Sequence, residues 1–156
     1  MGKIKPCLWF DNNAEEAASF YTSIFKHSKI LNVSRYGDGA PMPKGTAMTV
    51  MLEIEGQEVM LLNGGPYFKH SEAFSFFVNC ETQEEVDWFW TKLTEGGEEG
   101  QCAWLKDKFG VSWQIVPNEL GLLLSDPDPA KSQRVMQAML QMKKIDVAKL
   151  RQAQAG

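Results

Sequence analysis

Only two of the 156 residues are histidine, and only three are cysteine. A divalent metal site needs at least three N, O or S ligands at fixed geometry, so a histidine-rich metal centre is excluded. Ser-His-Asp and Cys-His groupings are excluded for the same shortage. Cys7, Cys80 and Cys102 are odd in number and scattered, which fits reduced, packed thiols and no disulfide framework. No apolar run approaches the roughly 18 residues of a membrane span. There is no excess of cations: the formal net charge is −4 with both signs mixed, which argues against a nucleic-acid partner. The first residues run straight into a strand-like segment without the pattern of a signal peptide, and Cys7 stands where a myristoylation motif needs Ser or Thr. The expectation is a soluble, cytoplasmic protein with no membrane contact.

What is present is an ordinary globular balance, 44% hydrophobic and 23% charged, with five tryptophans. Residues 4–10 alternate around Trp9 and predict a strand. Asn12-Asn13 offers a helix N-cap, with Glu15 and Glu16 in the first turn where the helix dipole favours acids. Ala14, Ala17, Ala18, Tyr21, Ile24 and Phe25 recur at helical spacing, so residues 13–26 are predicted as a helix. Strands follow at 29–36, 46–55 and 58–63, with a breaker-rich loop at 37–45 and a turn at Gly56-Gln57. The order then repeats. Residues 73–80 read as a strand. A helix opens at Glu81-Thr82 with the stripe Val86, Phe89, Trp90 and Leu93, and Gly96-Gly97 stops it. A short strand near 98–100, then 101–106 and 111–117, complete the set around the turn Asp107-Lys108-Phe109-Gly110. Glu15, Glu16, Phe20, Tyr21 and Ile24 match Glu84, Glu85, Phe89, Trp90 and Leu93 at one constant offset, the mark of an internal repeat. Beyond Pro117 the composition changes. Asp126-Pro127-Asp128-Pro129 offers a cap and a first-turn proline for a helix carrying Met136, Met139 and Leu140, and Asp146 can cap a last short one. The expected organisation is residues 1–66, 67–120 and a helical extension 121–156, one α+β unit of two βαβββ modules with curled mixed sheets.

Three segments carry a family resemblance: LWFDNNAEEAASFYTSIF near the start, LKDKFGVSWQIVP around residue 110, and RVMQAMLQMKKIDVAKL near the end. With the doubled βαβββ order, they resemble the vicinal oxygen chelate superfamily of glyoxalase I, bleomycin-resistance proteins and extradiol dioxygenases. Within it they are similar to the PhnB-like branch, often described as demethylubiquinone 3-methyltransferase. The resemblance implies that the two sheets form a cup. Strand alternation then turns Ile4, Pro6, Leu8, Phe10, Trp113 and Ile115 toward the helices. Lys5, Cys7, Trp9, Met60, Leu62, Ser75, Phe77, Ser112 and Gln114 turn toward the cup. The metal positions of the superfamily map near Lys5, Met60, Ala73 and Gln114, of which only Gln114 carries a donor suited to coordination. No metal and no cofactor are expected. His27, at a helix end, is expected to meet helix carbonyls, and His70 to face solvent.

The remaining signal is aromatic. Trp9 and Trp104 have the parity of cup residues, whereas Trp88, Trp90 and Trp113 are expected mostly to pack helix on sheet, with a subunit contact as the alternative for Trp88. Thr49, Ser75, Ser112 and Gln114 supply polar groups among apolar walls, the composition of a small-molecule pocket. The expected ligand site is Trp9, Thr49, Met60, Leu62, Ser75, Phe77, Trp104 and Gln114, binding a small aromatic or amphipathic molecule in a homodimer. Two alternatives stay open: an isomerase-like or methyltransferase-like enzyme, and a structural dimer whose cup is closed by its own side chains. Against methyl transfer, no glycine-rich turn joins a parallel strand to a helix here. Glu53 and Glu58 are the nearest carboxylate pair, placed beside a hairpin turn where exposure is expected. No catalytic residue is assigned.

Overall fold

The computed structural model describes residues 2–156. The chain divides between His70 and Ser71 into two compact units. The first contains β1 (Cys7–Phe10), α1 (Ala14–Ile24), β2 (Ser28–Arg35), β3 (Ala47–Ile54) and β4 (Gln57–Asn63). Its sheet runs β1-β4-β3-β2, with β1 and β4 parallel and the other pairs antiparallel. Alternation decides which face is covered. Val50, Leu52, Val59 and Leu61 are buried on the side that α1 covers, meeting its Ala14, Ala17, Ala18, Tyr21 and Ile24. The three alanines bring the helix close to the sheet, and Tyr21 fills the space beyond them.

Two local expectations change here. Neither Asn12 nor Asn13 caps α1 through its side chain. The cap comes from the end of β4: Asn63 Oδ1 accepts from the Ala14 N–H at 2.9 Å, and its Nδ2 donates to the Ala47 carbonyl at 2.9 Å. A buried amide is tolerable only when its groups are paired, and Asn63 is paired on both sides. The hairpin turn is Glu55-Gly56, not Gly56-Gln57. Both have positive φ, 48° and 86°, as a two-residue turn between twisted strands requires. Ile4 lies ahead of β1 and is exposed, not turned toward the helix.

The second unit contains β5 (Ser75–Cys80), α2 (Gln83–Thr94), β6 (Glu98–Glu99), β7 (Trp104–Lys106) and β8 (Ser112–Pro117). The order β5-β8-β7-β6 repeats that of the first sheet, again with one parallel pair, β5 with β8. Thr82 caps α2 by accepting from the Glu85 N–H, while Glu85 accepts from the Glu81 N–H. Val86, Trp90 and Leu93 bury against the sheet side that holds Leu105, Trp113 and Ile115. Of the two roles expected for Trp88, helix-on-sheet packing is not the one its exposure fits. It is about half exposed, with the Lys92 ammonium 4.9 Å above its ring.

Three helices complete the second unit: α3 (Asn118–Leu124), α4 (Pro129–Leu140) and α5 (Val147–Ala155). Asp128 and Asp146 cap α4 and α5 as their positions predict. The α3 helix follows β8 directly and has no cap side chain, so its start carries no sequence signal. Leu120, Leu123, Val135, Ile145 and Leu150 form a core with Ala103, and Met139 and Met142 pack against it. Met136 and Leu140 remain partly exposed on α4. Among the described residues the result is an α+β chain of two four-stranded mixed sheets and five helices, with no closed barrel.

Candidate functional site

Each sheet has one face covered by its helix and an opposite, open face. On the open face of the first unit, register sets Trp9 beside Leu62, Leu62 beside Thr49, and Thr49 beside Ser34. One step along, Cys7, Met60 and Met51 form the next row. The predicted residues Trp9, Thr49, Met60 and Leu62 therefore share one face and are half-buried. Their polar groups are already engaged. Trp9 Nε1 donates to the Gly65 carbonyl at 2.8 Å, and the ring meets Phe68 edge-on at 4.9 Å. A Cβ on Gly64 would lie 2.3 Å from the Trp9 ring, so only glycine lets the indole settle there. The Thr49 and Ser34 hydroxyls lie 2.5 Å apart. Trp9 is thus an anchor for the segment after β4.

A third row on this face sets Glu53 opposite Glu58. The two carboxylates are half-buried, not exposed as their place beside the turn implies, and Lys5 Nζ lies 3.3 Å from Glu58. The neighbouring cation is a sufficient reason for the acids to stand together on a partly covered surface.

On the open face of the second unit, Phe77, Gln114 and Trp104 form one row, and Ser75, Ser112 and Lys106 the next. The predicted residues Ser75, Phe77, Trp104 and Gln114 are therefore brought together. Gln114 Nε2 donates to Ser75 Oγ at 3.0 Å, which leaves the Gln114 amide oxygen as an acceptor. Phe77 is about half exposed, whereas Trp104 and Gln114 are half-buried. Ser112 is 1% exposed, and its hydroxyl has no hydrogen-bond partner. Lys106 pairs with Glu72. The strand β7 begins at Trp104 and not at Gln101, because Cys102 and Ala103 have left-handed backbone, with φ of 55° and 79°.

The other titratable candidates are held in unreactive settings. Burial pushes the Cys80 thiol up to about 12, with the Glu85 charge adding to it, and burial also raises Cys7. A thiol raised in this way carries little thiolate at neutral pH and is a poor nucleophile. The Ser75 and Gln114 groups are hydrogen-bonding groups suited to orienting a ligand. His70 does not face solvent as expected. Its ring is partly buried and lies 5.2 Å from that of Phe10. The His27 N–H donates to the Glu55 carboxylate, and its carbonyl accepts from the Glu55 N–H. Among the described residues no three His, Cys, Asp or Glu side chains are grouped to hold a metal ion. The residues at the mapped metal positions, Lys5, Met60, Ala73 and Gln114, do not fit one. The turns into α1 and α2, Asp11-Asn12-Asn13 and Glu81-Thr82, contain no glycine. They do not fit the glycine-rich approach to a nucleotide-type methyl donor.

The doubled sheet of order β1-β4-β3-β2, each copy with one crossover helix and one parallel pair, is the fold of the vicinal oxygen chelate superfamily. The family model described as 3-demethylubiquinone-9 3-methyltransferase matches residues 2–116, and the chain belongs to that family, the PhnB-like branch of the superfamily. Among solved structures, the PhnB protein of Bacillus cereus is 37% identical with a TM-score of 0.69, over 74% of this chain and 99% of that one. A Pseudomonas aeruginosa protein is 24% identical with a TM-score of 0.63, over 75% of this chain and 98% of that one, and shows the fold. So does a variant of the fosfomycin resistance protein FosX of Listeria monocytogenes, solved with Mn(II) and dihydroxypropylphosphonic acid. It is 14% identical with a TM-score of 0.54, over 72% of this chain and 88% of that one. Comparison with the curated proteins finds no match. No helix among the described residues is long and apolar enough to cross a membrane.

Proposed function

We propose that the open face of the second unit binds a small planar aromatic or amphipathic molecule without a metal. The apolar body lies against Trp104 and Phe77, and a polar group meets Ser75 and Gln114. The observation that carries this reading is the row Phe77, Gln114 and Trp104, in which the Gln114 amide oxygen is left as an acceptor between two aromatic side chains. A donor on a ligand would pair with that oxygen for about 0.5–1.5 kcal/mol. Aromatic walls add contact area with little side-chain entropy to lose. Met60, Leu62, Thr49 and Trp9 of the first unit form a similar surface within that unit, but the Trp9 and Thr49 polar groups are already paired. The family description names 3-demethylubiquinone-9, a molecule of this planar, amphipathic class. We do not extend methyl transfer to this chain, because its strand-to-helix turns lack glycine.

The test is a screen of planar aromatic amphiphiles by tryptophan fluorescence, followed by titration of variants. Trp104→Ala is expected to weaken binding by about 1.5–3 kcal/mol, the worth of burying a large apolar side chain. Gln114→Ala is expected to weaken it by about 0.5–1.5 kcal/mol, one neutral hydrogen bond. If both variants bind a discovered compound as tightly as the parent, the site lies elsewhere.

We also propose a homodimer. Met136 and Leu140 lie one turn apart on α4 and keep 39% and 47% of their surface exposed, and Leu122 on α3 keeps 73%. A stable pair buries roughly 1,200–2,000 Å² in total. Light scattering at micromolar concentration is expected to give twice the mass of one chain, and a single-chain mass there contradicts this reading.

A further inference from the structure

We infer that the helical extension after Pro117 is a positioning element that sets Trp104 on the open face of the second unit. The family model ends at residue 116, so the extension lies beyond what the match covers. Cys102 and Ala103 precede Trp104 and hold left-handed backbone, with φ of 55° and 79°. Residues with a Cβ leave that region unless their surroundings over-determine it. The two residues are the centre of the β6–β7 turn, closed locally by the Trp104 N–H donating to the Gln101 carbonyl at 3.1 Å, and the extension fastens them from outside. The Cys102 N–H donates to the Met142 carbonyl at 2.8 Å, and the Ala103 N–H to the Lys143 carbonyl at 2.9 Å. The Ala103 methyl is 1% exposed, inside the core formed by Leu120, Val135, Ile145 and Leu150.

The segment that supplies those carbonyls is itself tied to α2. Gln83 donates from Nε2 to the Ile145 carbonyl at 2.9 Å and accepts at Oε1 from the Val147 N–H at 2.9 Å. Asp87, one turn on, accepts from Gln83 Nε2 and pairs with Lys144 at 2.8 Å. The route is continuous: α2 holds 144–147, that segment holds 142–143, and 142–143 turns the amides of Cys102 and Ala103 away from the sheet. The Ala103 carbonyl still accepts from the Ile115 N–H at 2.9 Å, so the strand opens one residue later, with Trp104 in register with Gln114. Without the extension, the same sequence predicts a regular strand from residue 101. The role of Trp104 in binding rests on the function proposed above, but its placement is measurable without any ligand.

The test uses the full chain labelled with 5-fluorotryptophan, with the Trp104 resonance assigned by Trp104→Phe. Gln83→Ala removes both bonds to the 145–147 segment and leaves the sheet intact. Amide exchange at Cys102 and Ala103 is expected to rise about tenfold, the loss of two neutral hydrogen bonds. The Trp104 fluorine signal is expected to shift or broaden while that of Trp9, in the other unit, stays in place. If Gln83→Ala does not fold, Asp87→Asn, which removes only the Lys144 charge pairing, is read the same way with a smaller shift. Faster exchange at Cys102 and Ala103 with an unmoved Trp104 signal overturns the inference. So does unchanged exchange in the variant tested. Failure of the ligand screen leaves these readouts untouched, so the two ideas fail separately.

Discussion

Replacing Asp107 with alanine is expected to lower the unfolding free energy by about 3–5 kcal/mol, the largest loss for any single side chain outside the hydrophobic core. Asp107 is 3% exposed. Its Oδ1 accepts from the Phe109 and Val111 N–H groups at 2.9 and 3.0 Å, and its Oδ2 accepts from Trp113 Nε1 at 2.9 Å. Alanine strands three donors, one of them the indole of a fully buried tryptophan. Asp107→Asn separates the contributions. The amide oxygen keeps the two backbone donors, but its NH2 then faces the indole N–H, donor against donor. That variant is expected to lose about 1–3 kcal/mol. Urea unfolding followed by tryptophan emission gives both numbers. Equal stability of Asp107→Ala and the parent contradicts the assignment.

Gly97→Ala is expected to cost about 3 kcal/mol or more, for a different reason. A Cβ at Gly97 would stand 2.1 Å from the Lys106 carbonyl oxygen and 2.8 Å from the Asp107 carbonyl carbon. Both are main-chain atoms, so β6 and β7 must separate. The control is Gly121→Ala in α3, where nothing lies within 4 Å of the added Cβ. A helix interior prefers alanine to glycine, so that variant is expected to gain about 0.5–1 kcal/mol. Urea midpoints that move in the same direction for both variants contradict the steric account.

Periodicity carried most of the architecture. The apolar stripes of α1 and α2, the alternation in β3, β4 and β8, and the Asp-Pro and Asp caps of α4 and α5 all lie where their local chemistry puts them. The misses share a cause: the deciding partner is remote in sequence. Asn63 caps a helix almost fifty residues earlier, which no local cap motif at Asn12-Asn13 can reveal. Residues 101–103 alternate like a strand, but carbonyls forty residues later turn two of their amides aside. His70 carries no sequence sign that Phe10 will partly cover it. Parity placed the eight candidate ligand residues on the open faces, because a strand offers a side chain only two directions. It could not tell which polar groups are already engaged. Trp9 and Thr49 are engaged within the first unit, whereas the Gln114 amide oxygen in the second is left as an acceptor.

The open face of the second unit is proposed to receive a small planar molecule, oriented by Gln114 beside Trp104. The most direct test is an NMR titration with planar aromatic amphiphiles, following the Gln114 side-chain amide and the Trp104 indole N–H. Compounds that bind are expected to move both signals together, and Gln114→Ala is expected to weaken them about tenfold or less, one hydrogen bond. Compounds that bind while leaving both signals in place would contradict the proposal.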